Sequence, residues 1–199
     1  MSKDSLVMGV AGVFFGVLVG WIIGSQQAGT GPAPAPVAQQ APSQSGGTGQ
    51  APPPLDESRA SALKTTAQQN PADAVTRVQL GNMYFDAGRF QESAEWYEAA
   101  LKINPRDVNA STDLGIAYYY MNQADKALAQ FERSLVVDPK HAKTLLNVGI
   151  VRAFGKQDLK GATEAWQRVL AVAPGTEEAR AATQALEGVK SAHPDIGKQ

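Results

Sequence analysis

The strongest constraint in this sequence is a repeat. Asn70-Pro71, Asn104-Pro105, Asp138-Pro139 and Ala173-Pro174 follow one another at spacings of 34, 34 and 35 residues. Between these marks the same residue types return in register. Leu80-Gly81-x-x-Tyr84 precedes Ser93, Tyr97 and Ala100, and Leu114-Gly115-x-x-Tyr118 precedes Ala127, Phe131 and Ser134. Val148-Gly149 precedes Ala162, Trp166 and Val169, with one residue inserted before the second helix. A unit of this length holds two helices of about 14 residues and two short turns. Charged and apolar residues interleave at helical spacing, and no run of alternating β-branched residues occurs, so the pattern predicts an all-α fold. Proline closes each second helix, because it lacks an N–H and disfavours helix at the residue before it. Gly88, Asn122 and Gly155 stand where a left-handed residue would end each first helix.

The spacing predicts helices over 73–86, 90–103, 107–120, 124–137, 141–154 and 158–172. A hairpin cannot bury its apolar face alone, so neighbouring hairpins must stack. Two flanking helices complete the stack. Residues 176–189 place Ala179, Ala182, Leu186 and Val189 on one stripe with polar residues elsewhere, as a cap requires. Residues 56–69 offer Ala60, Leu63 and Ala67 to the first pair.

The pattern resembles the tetratricopeptide repeat family, whose units read W-x2-L-G-x2-Y, then A-x3-F, then A, then P. The likeness covers about 71–174, with departures: Arg77, Ser111 and Leu145 replace the leading Trp, and Arg152 the third Tyr. It implies a helical-hairpin solenoid over 55–190, with a half-repeat at 55–70, repeats at 71–104, 105–138 and 139–173, a capping helix at 175–190 and a tail at 191–199. It also implies a concave groove, lined by the first helices, that takes a peptide or protein partner. Facing that groove would be Asn82 and Phe85 from the first repeat, with Asn109, Asp113, Ile116, Tyr119 and Tyr120 from the second. Lys143, Asn147, Ile150 and Phe154 would line it from the third. Some family members clamp a terminal carboxylate with a Lys/Asn/Arg set. Asn82 and Lys143 match that set, but Val78, Asp113 and Asn147 depart from it, and the negative Asp113 disfavours a carboxylate.

Tyr118, Tyr119 and Tyr120 are consecutive, and successive helix residues point about 100° apart. They cannot share one buried face. Tyr118 is expected to make the contact within its repeat. At least one of its two neighbours is expected to open onto the groove, beside Ile116 and across from Phe85 and Phe154.

Ahead of the repeats the chain changes character. Residues 6–24 are 19 residues without a charge, which as a helix would span roughly 28 Å, close to the hydrocarbon core of a bilayer. An uncleaved anchor over 1–24 is the favoured reading and a cleaved signal its competitor. Lys3 and the N-terminal amine place the N-terminus in the cytoplasm and the repeats on the periplasmic side. Gly12, Gly16, Gly20 and Gly24 form a stripe for packing against another membrane helix or a second copy. Residues 25–54 contain seven Pro and five Gly and no charge, the composition of a disordered linker.

Composition narrows the chemistry. Without cysteine there is no thiol nucleophile or Cys-ligated metal, and two histidines 52 residues apart make no metal pair. A formal net charge of −1 argues against nucleic acid. Glu92, Glu95 and Glu98 read as a solvated helix face. The sequence therefore predicts no enzyme, no cofactor and no metal. It predicts a membrane-anchored adaptor that binds a protein partner through the groove, in the assembly, secretion or maturation of envelope proteins. The alternative is a structural membrane protein that self-associates through the glycine stripe and repeat stacking.

Overall fold

A computed structural model describes residues 51–193. The predicted anchor, its glycine stripe and residues 25–50 of the predicted linker lie outside the described residues, as does the end of the tail. Among the described residues eight α-helices follow one another: α1 Glu57–Gln69, α2 Ala74–Asp86, α3 Phe90–Ile103, α4 Val108–Tyr120, α5 Ala124–Val137, α6 Ala142–Ile150, α7 Leu159–Val172 and α8 Glu177–Ala192. Among the described residues there is no strand, and no helix is long and apolar enough to cross a membrane.

Five of the eight described helices open on a side chain that caps them. Asp73 and Asp107 accept from the backbone N–H groups of Thr76 and Ala110 at 3.0 and 2.9 Å, opening α2 and α4. These bonds satisfy donors that have no partner inside the helix. The third repeat has His141 at that place, and its side chain makes no capping bond.

Within each hairpin, a glycine on the first helix lies under an aromatic ring on the second. A methyl at Gly81 would stand 2.5 Å from Tyr97 Cε1, and one at Gly115 would stand 2.6 Å from Phe131 Cδ1. Gly149 lies as closely under Trp166, whose indole N–H donates to the Leu146 carbonyl at 3.2 Å. Tyr97, Phe131 and Trp166 are among the largest fully buried side chains. The missing leading Trp is replaced differently in each repeat. Arg77 donates to the carbonyls of Ala67, Asn70 and Asp73, tying α1 to α2. Ser111 bonds to Gln130 and Ser134 at 2.7 and 2.8 Å, and Leu145 is completely buried.

One expectation needs correction. Gly155 does not form the left-handed turn of the third repeat. Gly88 and Asn122 do so in the first two, at φ +71° and +59°, but in the third the role falls to Gln157 at +57°. The inserted residue is the cause. α6 runs without a break into a π turn, Val151–Gly155, closed by a bond from the Lys156 N–H to the Val151 carbonyl at 3.1 Å. That wider turn takes up one extra residue and moves the chain reversal past the glycine. Gly155 instead lies against α5, with Ala124 Cβ 3.0 Å from where its own Cβ would be.

Tyr118 makes a contact within its repeat, the Lys126 ammonium lying 5.7 Å from its ring centre, and one beyond it. Its hydroxyl donates to Glu98 of the preceding hairpin at 2.6 Å, so its polar contact runs between repeats. Tyr84, its counterpart, is 2% exposed because α1 covers it, in a core with Ala60, Ala67 and Leu80. Leu55 packs on that core, and the Pro52 ring meets Gly88. At the other end α8 buries Ala179, Ala181, Ala182 and Ala185 and leaves Leu186 and Val189 half-buried.

Candidate partner-binding face

The first helices of the three repeats, α2, α4 and α6, are joined side by side through polar and aromatic bonds. Asp113 on α4 and Lys143 on α6 form an ion pair at 2.6 Å. Asp113 is only 6% exposed, and burial pushes its carboxyl above the ordinary range although Lys143 opposes the shift. The desolvation of the carboxylate therefore outweighs its partner's attraction. Asn147, one turn beyond Lys143, donates to the Lys143 carbonyl at 2.8 Å.

A hydroxyl chain involves the residues next to this pair, Thr112 just before Asp113 and Thr144 just after Lys143. Thr112 Oγ1 donates to the Val108 carbonyl at 2.7 Å and lies 2.6 Å from Thr144 Oγ1, which lies 2.6 Å from His141 Nδ1. Since Thr112 gives its proton to Val108, Thr144 must donate to Thr112 and accept from Nδ1–H. The neutral ring thus carries its proton on Nδ1, and its Nε2, 3.2 Å from Asn109 Oδ1, gains a hydrogen bond there only when that amide turns its N–H toward the ring. Burial lowers the His141 pKa, which favours that neutral form.

On the opposite flank, α2 meets α4 through aromatic rings. Tyr120 stacks on Phe90 at 4.6 Å between centroids and meets Phe85 edge-on at 5.3 Å. Its hydroxyl is buried without a partner, and burial pushes its pKa to about 12. Tyr120 is thus engaged in the junction between repeats one and two. Tyr119, half-buried, lies beside the Gly155 position, and the neighbouring Phe154 is 36% exposed.

The predicted site residues therefore separate by depth. Phe85, Asp113, Ile116, Asn147 and Ile150 are buried. Asn82, Tyr119, Tyr120 and Lys143 are half-buried, while Asn109 and Phe154 are exposed. The half-buried and exposed members are those a partner can reach. Asn82 accepts from the buried Tyr97 hydroxyl at 2.7 Å, which fixes its amide at the surface.

Two residues escaped the sequence reading. Phe90 completes the aromatic junction, but Ala124 and Leu159 occupy its place in the other repeats, so periodicity gave no sign of it. Asp86 lies one turn after Asn82 on the same face of α2. Its signal was there to read, as an acid in the last turn of a helix, where the macrodipole disfavours negative charge.

A shallow cavity of about 330 Å³ lies at the turns of repeats two and three. Asn122, Gln123, Asp125 and Lys156 line it, and Lys156 pairs with Asp125 at 2.7 Å.

The arrangement is that of a helical-repeat binding module, whose available chemistry is contact area, amide hydrogen bonds and charge. The chain carries tetratricopeptide repeats: residues 81–122 match a family described as TPR repeat, and residues 112–182 match one described as tetratricopeptide repeat. No curated protein matches the chain. Solved structures share its fold. A crystal structure of MamA aligns at TM-score 0.57 and 16% identity over 72% of this chain and 91% of that one. The first TPR domain of human RPAP3 aligns at 0.57 and 23%, over 65% of this chain and 99% of that one. The first TPR of Spaghetti (RPAP3), solved bound to an HSP90 peptide, aligns at 0.54 and 24%, over 60% and 91%.

Proposed function

We propose that this chain is a membrane-anchored adaptor that recognises a protein partner through the face formed by α2, α4 and α6. The observation that carries this reading is the mixture on that face. Phe154 and Tyr119 leave aromatic surface within reach of a partner, beside the amides Asn82 and Asn109, on a rigid stack of repeats. Accessible aromatic residues on a rigid scaffold make good binding anchors, because they offer much contact area for little lost side-chain freedom. The peptide-bound relative supports a peptide or an extended protein segment as the class of partner. Residues 6–24 would hold the protein in a membrane with its N-terminus in the cytoplasm, and residues 25–54 would give the repeats reach on the other side. Service in the assembly, secretion or maturation of envelope proteins fits that layout.

Capture from mild detergent by the full chain tests the reading, comparing wild type with a Phe154→Ser, Tyr119→Ala variant. Partner capture should weaken by about 2 kcal/mol or more while helical content and the melting transition persist. Equal capture by a folded variant would move the contact to another face, or to self-association. Protease added outside intact cells should degrade the repeats, and their protection would refute the assigned side.

A further inference from the structure

The charge on this face points to the chemistry of the partner, and the argument rests on the binding role proposed above. Among the described residues that line this face there is one cation, Lys143, and Asp113 already engages it at 2.6 Å. A partner carboxylate would have to compete with Asp113 for that ammonium and would be repelled by Asp113 itself.

Asp86 is in the opposite situation. It is the last residue of α2, one turn from Asn82, and its solvent-exposed carboxylate has no ion pair or hydrogen bond among the described residues. Apart from its access to water, its surroundings are unfavourable to its charge. The end of a helix is negative. Burial and the neighbouring Asp113 both push its carboxyl pKa up. The same two acids act together on the Tyr97 hydroxyl, which is bonded to Asn82, so Asp86, Asp113, Tyr97 and Asn82 belong to one neighbourhood. Asparagine would serve this position better if stability alone were at stake.

We propose that Asp86 receives a lysine or arginine side chain of the partner. The partner segment is basic and partly apolar: its cation lies between Asp86 and the Asn82 amide, and its apolar residues lie toward Tyr119 and Phe154. Charge complementarity names this occupant. The three charged residues Asp86, Asp113 and Lys143 sum to −1, with the single positive charge internally matched. An incoming cation relieves the repulsion between Asp86 and Asp113, whereas an incoming carboxylate adds to it.

The test is a selection of phage-displayed random linear peptides on the full chain, followed by fluorescence anisotropy of the selected peptides. Lysine or arginine should be enriched next to an apolar or aromatic residue. Asp86→Asn should weaken the selected peptides about fivefold and Asp86→Lys tenfold or more, with affinity falling as salt rises. Asp86→Asn should melt at or above the wild-type temperature, which separates lost recognition from lost fold should Asp86→Lys fail to fold. Enrichment of acidic peptides, or of free terminal carboxylates, would overturn the inference and leave the binding face standing. So would basic peptides that bind the Asp86 variants unchanged but lose affinity for Phe154→Ser. If no peptides are selected, or if they bind Phe154→Ser and the Asp86 variants as well as wild type, the binding face and the inference both fall.

Discussion

Gly115→Ala tests the packing on which the solenoid rests. The added methyl would stand 2.6 Å from Phe131 Cδ1, and Phe131 is completely buried. Carbon atoms rest comfortably at about 3.5–4.0 Å, so the ring or the helix must move by roughly 1 Å. Overpacking of this kind costs about 1–3 kcal/mol. Alanine returns about 1 kcal/mol through its better helix propensity. The net loss should be about 1–2 kcal/mol, a fall in Tm of roughly 3–8 °C for a repeat domain of this size. The specific signature is in the double mutant. Phe131→Leu alone should destabilise by leaving a void, but leucine also makes room for the new methyl. Gly115→Ala with Phe131→Leu should therefore cost less than the sum of the single changes, by about 1 kcal/mol. Thermal and urea unfolding of the four proteins, followed by circular dichroism, measures the coupling. Additivity, or a Tm raised by Gly115→Ala alone, would show that the helices do not cross as closely as described.

Gln157→Gly should stabilise by about 1 kcal/mol, because φ +57° strains a residue with a Cβ, and a lower Tm would contradict the displaced turn. Lys126→Ala should change stability by less than about 0.5 kcal/mol, since its only described partner is the Tyr118 ring at 5.7 Å. His141 gives a pH dependence of known sign. Its folded pKa lies below the ordinary 6.5, so the unfolded chain binds more protons as pH falls through that range, and stability drops. Asp138, Asp113, Glu178 and Lys143 share its surroundings. The loss between pH 7 and about 5.5 should be smaller in His141→Gln, and an unchanged slope in Tm against pH would exclude the histidine as its source.

The repeat carried most of the fold because it states one hairpin three times. Leu80, Gly81 and Tyr97 are ambiguous alone, but their counterparts at fixed spacing leave few alternatives, and the helices fall within a residue or two of the expected bounds in the first two repeats. What the spacing could not place was the inserted residue. Assigning the third turn to Gly155 followed the glycine's preference, whereas the bond from Lys156 to Val151 decides where the chain reverses. The face was legible as a set of positions but not by depth. Ile116 and Ile150 lie on the same helices as groove residues that stay within reach, yet both are buried. Tyr118 and Tyr120 were separable as pointing different ways, but Glu98 and Phe90, which bind them, are remote from them in sequence. Asp86 was passed over because it matches no family position of known use, and its lack of a partner is visible only in three dimensions.

Site-specific photocrosslinking tests the central claim most directly. A photoreactive phenylalanine analogue is placed at Phe154 on the proposed face and, separately, at Val136, which is 82% exposed on the second helix of repeat two. The account predicts a crosslinked partner from position 154 and none from position 136. A partner crosslinked from 136 alone would place recognition on the second helices and contradict it.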